Sequence, residues 1–300
     1  MSFTTQIKDE ITKLFNNKIE DLISLLVYLK FNSNITDYKI SIFTENASVA
    51  RWLFKLIKVI YDVPIKLTIR TINRFKKRNI YILEIKDKKD IILLDINNTL
   101  KNISDASNEE KIAFLKGMFL SCGSVNDPKK NKYHLEFFVK SESDALLVNS
   151  LLLDLGLFSK VLKREKEFMV YIKKSENIGD FINYLGAVNA LFYFEDIRIY
   201  KDHKNMVNRL NNCEQANIEK SLKSSREIIL NIEYLEDNDL INLLDDRARE
   251  IINYKKKYPE TSMGELAHII SLETSKPITK SGINHHFRQI NELVNKHSNN

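Results

Sequence analysis

Five residues near the C-terminal end carry side chains suited to reading a nucleic acid: Lys280, Ser281, Asn284, His285 and Arg288. Asn and Arg can pair bidentately with adenine and guanine edges, and the others can donate to phosphate oxygens. Spacing matters as much as type. Ile283, Phe287, Ile290 and Val294 recur at i, i+4, i+7 and i+11, a single buried helical stripe, and the five polar residues fall largely off it. Thr279 can cap such a helix, and Gly282 leaves room for a DNA backbone. Polar residues at an exposed helix N-terminus, with the positive end of the helix dipole behind them, are how a recognition helix enters the major groove. A merely solvated helical face is the alternative. Adjacent His285 and His286 point in different directions on a helix and have no Cys or carboxylate at ligand spacing, so no metal is expected.

A second group lies in the first third. Lys66, Arg70, Arg74, Lys76, Lys77 and Arg78 fall in a stretch with no acid. Ile65-Lys66-Leu67-Thr68-Ile69-Arg70 alternates apolar and polar residues, as a half-buried strand does. A basic strand and hairpin can hold phosphates; a solvated hairpin is the plainer reading. Residues 1–100 carry seventeen Lys and Arg against eleven Asp and Glu, and the rest of the chain is balanced, so this third supplies the whole net charge of +6. That charge favours anionic partners.

The elements that must position these groups repeat. Helix, strand, helix, strand, strand is expected at 21–31, 38–44, 46–61, 64–71 and 79–86, and again at 110–121, 132–140, 143–155, 158–164 and 167–173. An offset of 90–95 residues fits a duplicated domain rather than a solenoid. Val49, Trp52, Leu53, Leu56, Ile57 and Ile60 share one helical face. Tyr133 to Lys140 alternates, after a turn at Asn126-Asp127-Pro128. Residues 201–218 read as a helix followed by a polar connector. Three helices are then expected: 238 to about 257, one capped by Thr261 or Ser262 with Glu265 closing a capping box, and the one beginning at Lys280.

The composition is that of a globular chain, with 43% hydrophobic and 29% charged residues. No apolar run approaches the ~18 residues of a membrane span. The opening residues lack signal-peptide features, so a cytoplasmic protein is expected. Cys122 and Cys213 make neither a disulfide framework nor a zinc site.

Phe114-Leu-Lys-Gly-Met-Phe-Leu-Ser-Cys-Gly-Ser124 places Gly117 inside an apolar helical run, where it costs about 1 kcal/mol relative to Ala unless a second backbone packs against it. This segment resembles a LAGLIDADG helix of the homing endonucleases, whose two such helices pack face to face. Ser24, on the helix of the first pass, stands where the second has Gly117. The resemblance implies a metal-binding acid before the final Gly. Here that position is Cys122, and near Leu29 in the first pass. No catalytic residue, metal or cofactor is therefore expected, although Asp127 lies close enough to keep a metal-dependent nuclease as a rival.

Five stretches are similar to the WhiA family of bacterial DNA-binding regulators. They are Ser2-Phe3 with Lys8-Asp9-Glu10, Phe114 to Pro128, Tyr133-His-Leu-Glu136, Asn205-Met-Val-Asn-Arg-Leu-Asn-Asn-Cys-Glu-Gln-Ala-Asn217, and Ile278-Thr-Lys-Ser-Gly-Ile-Asn-His-His-Phe-Arg-Gln-Ile290. Departures are Lys30, where a Gly is usual, and His286, where an Arg is more typical. The resemblance implies an α+β fold, with a duplicated LAGLIDADG-like αββαββ-type saddle domain followed by an all-α helix-turn-helix domain. The expected division is 1–105 and 106–200 for the two repeats, 201–237 for a helical linker and 238–300 for the helix-turn-helix. The implied function is non-catalytic: a transcription regulator or nucleoid-associated protein tied to cell division, chromosome segregation and, in bacteria that do so, sporulation. Double-stranded DNA is the expected partner, with other transcription or division proteins in addition, and neither a membrane nor a small-molecule substrate is expected. A saddle that binds another protein or a ligand, leaving DNA to the C-terminal domain, is the alternative.

Overall fold

A computed structural model of the chain describes residues 2–14, 17–72, 78–130 and 132–298. The duplication is visible as two four-stranded antiparallel sheets of identical order. After α1 (Phe3–Ile11), the first pass is α2 (Lys18–Asn32), β1 (Ser33–Ile35), β2 (Ile40–Thr44), α3 (Ala47–Tyr61), β3 (Ile65–Ile72) and β4 (Arg78–Ile85), followed by α4 (Lys89–Leu100). Its sheet runs β1-β2-β4-β3. The second pass is α5 (Asn108–Cys122), β5 (Gly123–Val125), β6 (Leu135–Val139), α6 (Glu142–Asp154), β7 (Lys160–Lys163) and β8 (Phe168–Ile172), followed by α7 (Ser175–Tyr184). Its sheet runs β5-β6-β8-β7.

Local chemistry sets the helix starts. Asn17, Asn46, Ser107 and Ser141 each accept a first-turn amide with the side chain, and Ser107 closes a capping box with Glu110. The α3 face read from the sequence is buried at Val49, Trp52, Leu53, Leu56 and Ile57. On the helix side of the first sheet, Ile40, Ile42, Leu83 and Ile85 are fully buried; Leu135, Phe137, Val170 and Ile172 do the same in the second.

α2 and α5 pack directly on each other at the middle of this core. A Cβ on Gly117 would lie 2.5 Å from the Ser24 carbonyl oxygen and 2.8 Å from Val27 Cβ. Only a glycine permits that approach. The fully buried Ser24 hydroxyl donates to the Ala113 carbonyl at 2.8 Å, so the small polar residue also finds a partner across the interface.

The chain divides into two compact units, residues 1–202 and 203–300. α8 (Val188–Asp237) supplies residues to each. For 201–218 the expectation was a helix followed by a polar connector, within a helical linker at 201–237; the helix is there but no connector breaks it, because neither Pro nor Gly interrupts residues 188–237. A further correction concerns the helix expected from 238. Asp239 adopts a left-handed conformation, a 3-10 turn follows at Leu240–Leu243, and α9 (Asp246–Lys257) starts only where the Asp245 side chain accepts the Ala248 amide. α10 (Met263–Thr274) and α11 (Lys280–Ser298) complete the second unit. Its core joins Ile232 and Leu235 of α8 to Ile251, Leu266, Ile270, Ile283, Phe287 and Ile290. Among the described residues no helix is long and apolar enough to cross a membrane.

Candidate nucleic-acid interface

α10, a short turn and α11 form a helix-turn-helix. Ser262 and Glu265 make the capping box that begins α10, and hydrogen bonding to the Ser262 amide holds the Glu265 carboxyl below its ordinary range. α10 ends at Ser275, whose φ of 54° turns the chain back. The Ser271 hydroxyl then accepts the Ile278 amide at 2.9 Å, tying the turn to α10. Thr279 starts α11, with its hydroxyl accepting the Gly282 amide at 3.2 Å.

α11 buries the four-residue stripe Ile283, Phe287, Ile290 and Val294. Lys280, Ser281, His285 and Arg288 are exposed, and Asn284 is half-buried. The five residues fall in two adjacent rows. Lys280, Asn284 and Arg288 border the groove against α8, with Asn284 and Arg288 facing Ser224 and Asn231. Ser281 and His285 form the neighbouring row. The His286 ring stacks edge-on against His285 at 5.9 Å, and among the described residues no three His, Cys, Asp or Glu side chains form a metal-binding group.

Of the basic strand group, Lys66, Arg70 and Arg78 are exposed, whereas Arg74, Lys76 and Lys77 lie outside the described residues. The register places the three together. Lys66 pairs with Glu84, Arg70 with Ile80 and Ile72 with Arg78, so all three point to the sheet face away from the helices. They share that face with Phe43 and Thr68, and with Glu84, which takes an ion pair from Lys39 and another from Lys66 at 4.0 Å. Lys39 and the neighbouring lysines hold the Glu84 carboxyl below its usual range. Arg78 faces Glu45 at 3.7 Å.

The corresponding face of the second sheet carries basic groups that the sequence reading missed. Lys160 pairs with Tyr171, in phase with Glu136. Lys173 lies 5.0 Å over the Tyr171 ring, and Arg164 lies 5.8 Å over Phe138. Glu136 accepts from the Ser124 hydroxyl and contacts His134 Nε2, both at 3.0 Å. Strand alternation was the available signal, but the run is four residues long and mixed in character.

The two positions of the missing acids are equally informative. Leu29 is fully buried, and the Cys122 thiol turns back onto the Met118 carbonyl at 3.5 Å. Burial raises the Cys122 pKa. Lys8, from α1, donates its Nζ to the Leu120 carbonyl at 3.1 Å and lies 5.4 Å over the Phe119 ring. Burial lowers the Lys8 pKa to about 8, opposed by the nearby Cys122. An ammonium thus interacts with the carbonyl end of α5, a favourable place for a cation. A thiol, a leucine and a lysine do not make a donor set for a hard divalent metal. Asp127, the remaining acid considered, accepts the Lys129 amide at 2.9 Å in its turn and the Tyr193 hydroxyl at 3.4 Å.

Family models match in three blocks: the WhiA N-terminal LAGLIDADG-like domain over residues 19–97, the WhiA LAGLIDADG-like domain over 111–204, and the WhiA C-terminal HTH domain over 207–294. A relative from Bacillus cereus (strain G9842), named "Probable cell division protein WhiA", is 38% identical over 311 residues, covering 99% of this chain and 97% of its own. A relative of the same name from Bacillus anthracis (strain CDC 684 / NRRL 3495) is 37% identical with the same coverage. The full-length DUF199/WhiA crystal structure from Thermatoga maritima matches over 99% of both chains, with a TM-score of 0.60 and 22% identity, a likeness of fold. The structure of the N-terminal LAGLIDADG domain of DUF199/WhiA covers 62% of this chain and 90% of its own, with a TM-score of 0.52 and 23% identity. Two LAGLIDADG-like halves joined to a helix-turn-helix, matched from end to end by these relatives, make the chain a member of the WhiA family.

Proposed function

We propose that this chain is a non-catalytic DNA-binding regulator linked to cell division, read by α11 and held in addition through the first sheet. The observation that carries the reading is α11 itself, which exposes Lys280, Ser281, His285 and Arg288 while burying the stripe behind them. In this reading Lys280, Ser281, Asn284, His285 and Arg288 meet base edges and phosphates in a major groove. Lys66, Arg70 and Arg78 contribute phosphate contacts, with Arg74, Lys76 and Lys77 continuing the same basic run. The link to division rests on the name that the relatives carry. Action on transcription, a place on the nucleoid within the cytoplasm, and roles in chromosome segregation or sporulation extend that reading.

Fluorescence anisotropy of the full chain with a labelled duplex, at several salt concentrations, tests it. Arg288→Ala and Asn284→Ala should weaken binding and relax sequence preference at single positions, each by about 1–3 kcal/mol. Lys66→Ala with Arg70→Ala should weaken all sequences alike and lower the salt slope by about 0.9 for each phosphate lost. Unchanged binding in the α11 variants would remove the helix from the interface.

One observation favours a second reading for the first sheet. Phe43 and Ile72 are 47% and 41% exposed on the same face as Lys66 and Arg70. A mixed apolar and basic face suits an acidic protein partner, such as a transcription or division protein. In that case the sheet variants leave the salt slope unchanged.

A further inference from the structure

A cavity of about 410 Å³ opens within the second unit, between α8, the start of α10 and the first turns of α11. Lys220, Ser221 and Ser224 of α8, Lys255 of α9, and Lys280 and Asn284 of α11 line it, and among the described residues no acidic one does. Lys255 is only 1% exposed. Its Nζ donates to the Thr261 carbonyl at 2.9 Å, and among the described residues no carboxylate pairs with it. A buried ammonium with no counter-charge is expensive, and an anion entering the cavity removes the expense.

The start of α10 supplies a second, independent feature. Its capping box satisfies the amides of Ser262 and Glu265. The two amides between them, those of Met263 and Gly264, are first-turn donors that the helix itself leaves without acceptors. Both residues line the cavity. Glu265, the acid nearest in sequence, is committed to the Ser262 amide at 2.9 Å. Lysines from three helices, serines of α8 and the two N-terminal residues of α10 whose amides are uncapped therefore line one space. That is the donor set of a phosphate site.

We infer that this cavity binds a phosphate group, with Lys255 beneath it and Lys220 and Lys280 at its rim. A phosphate held there joins α8 to the N-terminus of α11 and so fixes the orientation of the helix that carries Asn284 and Arg288. Its source is a phosphodiester of bound DNA or the phosphate of a free phosphorylated molecule. The first source rests on the reading of α11 given above; the second does not.

The full chain, Lys220→Ala and Lys255→Met are compared in two assays. One is anisotropy with a labelled duplex over a salt series; the other is calorimetric titration with inorganic pyrophosphate. With DNA as the source, both variants lower the salt slope by about 0.9 and leave base preference unchanged. With a free ligand as the source, the parent binds pyrophosphate, both variants lose that binding, and the DNA slope does not move. The proposal is overturned if neither variant changes the slope and neither loses pyrophosphate binding, whether the parent binds pyrophosphate or not. Lys220 is exposed on α8, so its variant keeps the test decisive should Lys255→Met fail to fold. A parent that binds pyrophosphate but no DNA would sink the DNA-binding function and leave the phosphate site standing.

Discussion

The carbonyl oxygen of Ser24 lies 2.5 Å from the point where a side chain on Gly117 would begin. Val27 Cβ is 2.8 Å from the same point, so neither backbone nor side chain can yield without moving a helix. Gly117→Ala gains about 1 kcal/mol of helix propensity and meets an overpacking cost of about 1–3 kcal/mol. A net loss of stability is expected in urea unfolding of the full chain, growing steeply for Gly117→Val. Stabilisation by Gly117→Ala would mean that α2 and α5 are not in this contact.

Lys8 gives a pH signature. Its folded pKa of about 8 lies below the 10.5 of an unrestrained lysine. Between those values the unfolded chain binds more protons at this site than the folded one, so this contribution to stability rises with pH through the window and is absent below it. The gain from pH 8 to pH 10 is on the order of 2–3 kcal/mol. Above pH 9 the buried Cys122 thiol, whose pKa is raised, acts in the opposite direction. The measurement is therefore the difference between parent and Lys8→Met in urea unfolding at each pH. Parallel curves for the two proteins would show that Lys8 stays charged.

The carboxylate of Glu10 accepts the main-chain amides of Asn189 and Ala190, at 2.8 and 3.1 Å, and so caps the first turn of α8 from α1. It also accepts the Asn189 side chain at 3.0 Å. Glu10→Ala should destabilise the first unit by about 1–2 kcal/mol, and Glu10→Gln by less, because an acceptor remains while the charge at the helix N-terminus is lost. Thermal melting of the full chain followed by circular dichroism reads both. Equal losses for the two variants would assign the whole effect to charge.

Asp127 provides the chemical control. Its carboxylate is occupied by a turn amide and a tyrosine hydroxyl. Plasmid DNA incubated with the protein and Mg²⁺ should stay intact, and Asp127→Ala should cost about 1 kcal/mol of stability. Mg²⁺-dependent cleavage that disappears in Asp127→Ala would restore the nuclease reading.

Much of this was legible in the residues. The α3 face, the Ser262–Glu265 capping box and the Ile283–Val294 stripe are local patterns with fixed periods, and the structure has all three. The repeat pointed to Ser24 opposite Gly117, because two small residues at equal places need a common reason. What escaped was either too short or not local. β1 and β5 have three residues each, less than the strand period needs to declare itself. α8 is exposed all around from 202 to 221, so no apolar stripe showed that the helix expected there runs on without a connector. Lys8 meets Leu120 across 112 residues of sequence, and only the folded core brings them together. Likewise Lys66, Arg70 and Arg78 share a face through strand register, which a charge count does not contain.

Because α2 and α5 belong to one polypeptide, their pairing through Ser24 and Gly117 does not depend on protein abundance. Two separate halves would dissociate on dilution. Tethered halves meet at an effective concentration on the order of millimolar. The first unit can thus assemble in a cell holding only a few copies of the chain. Tethering also frees each half to drift: Lys8 attends α5 alone, an asymmetry that a dimer of identical subunits could not encode.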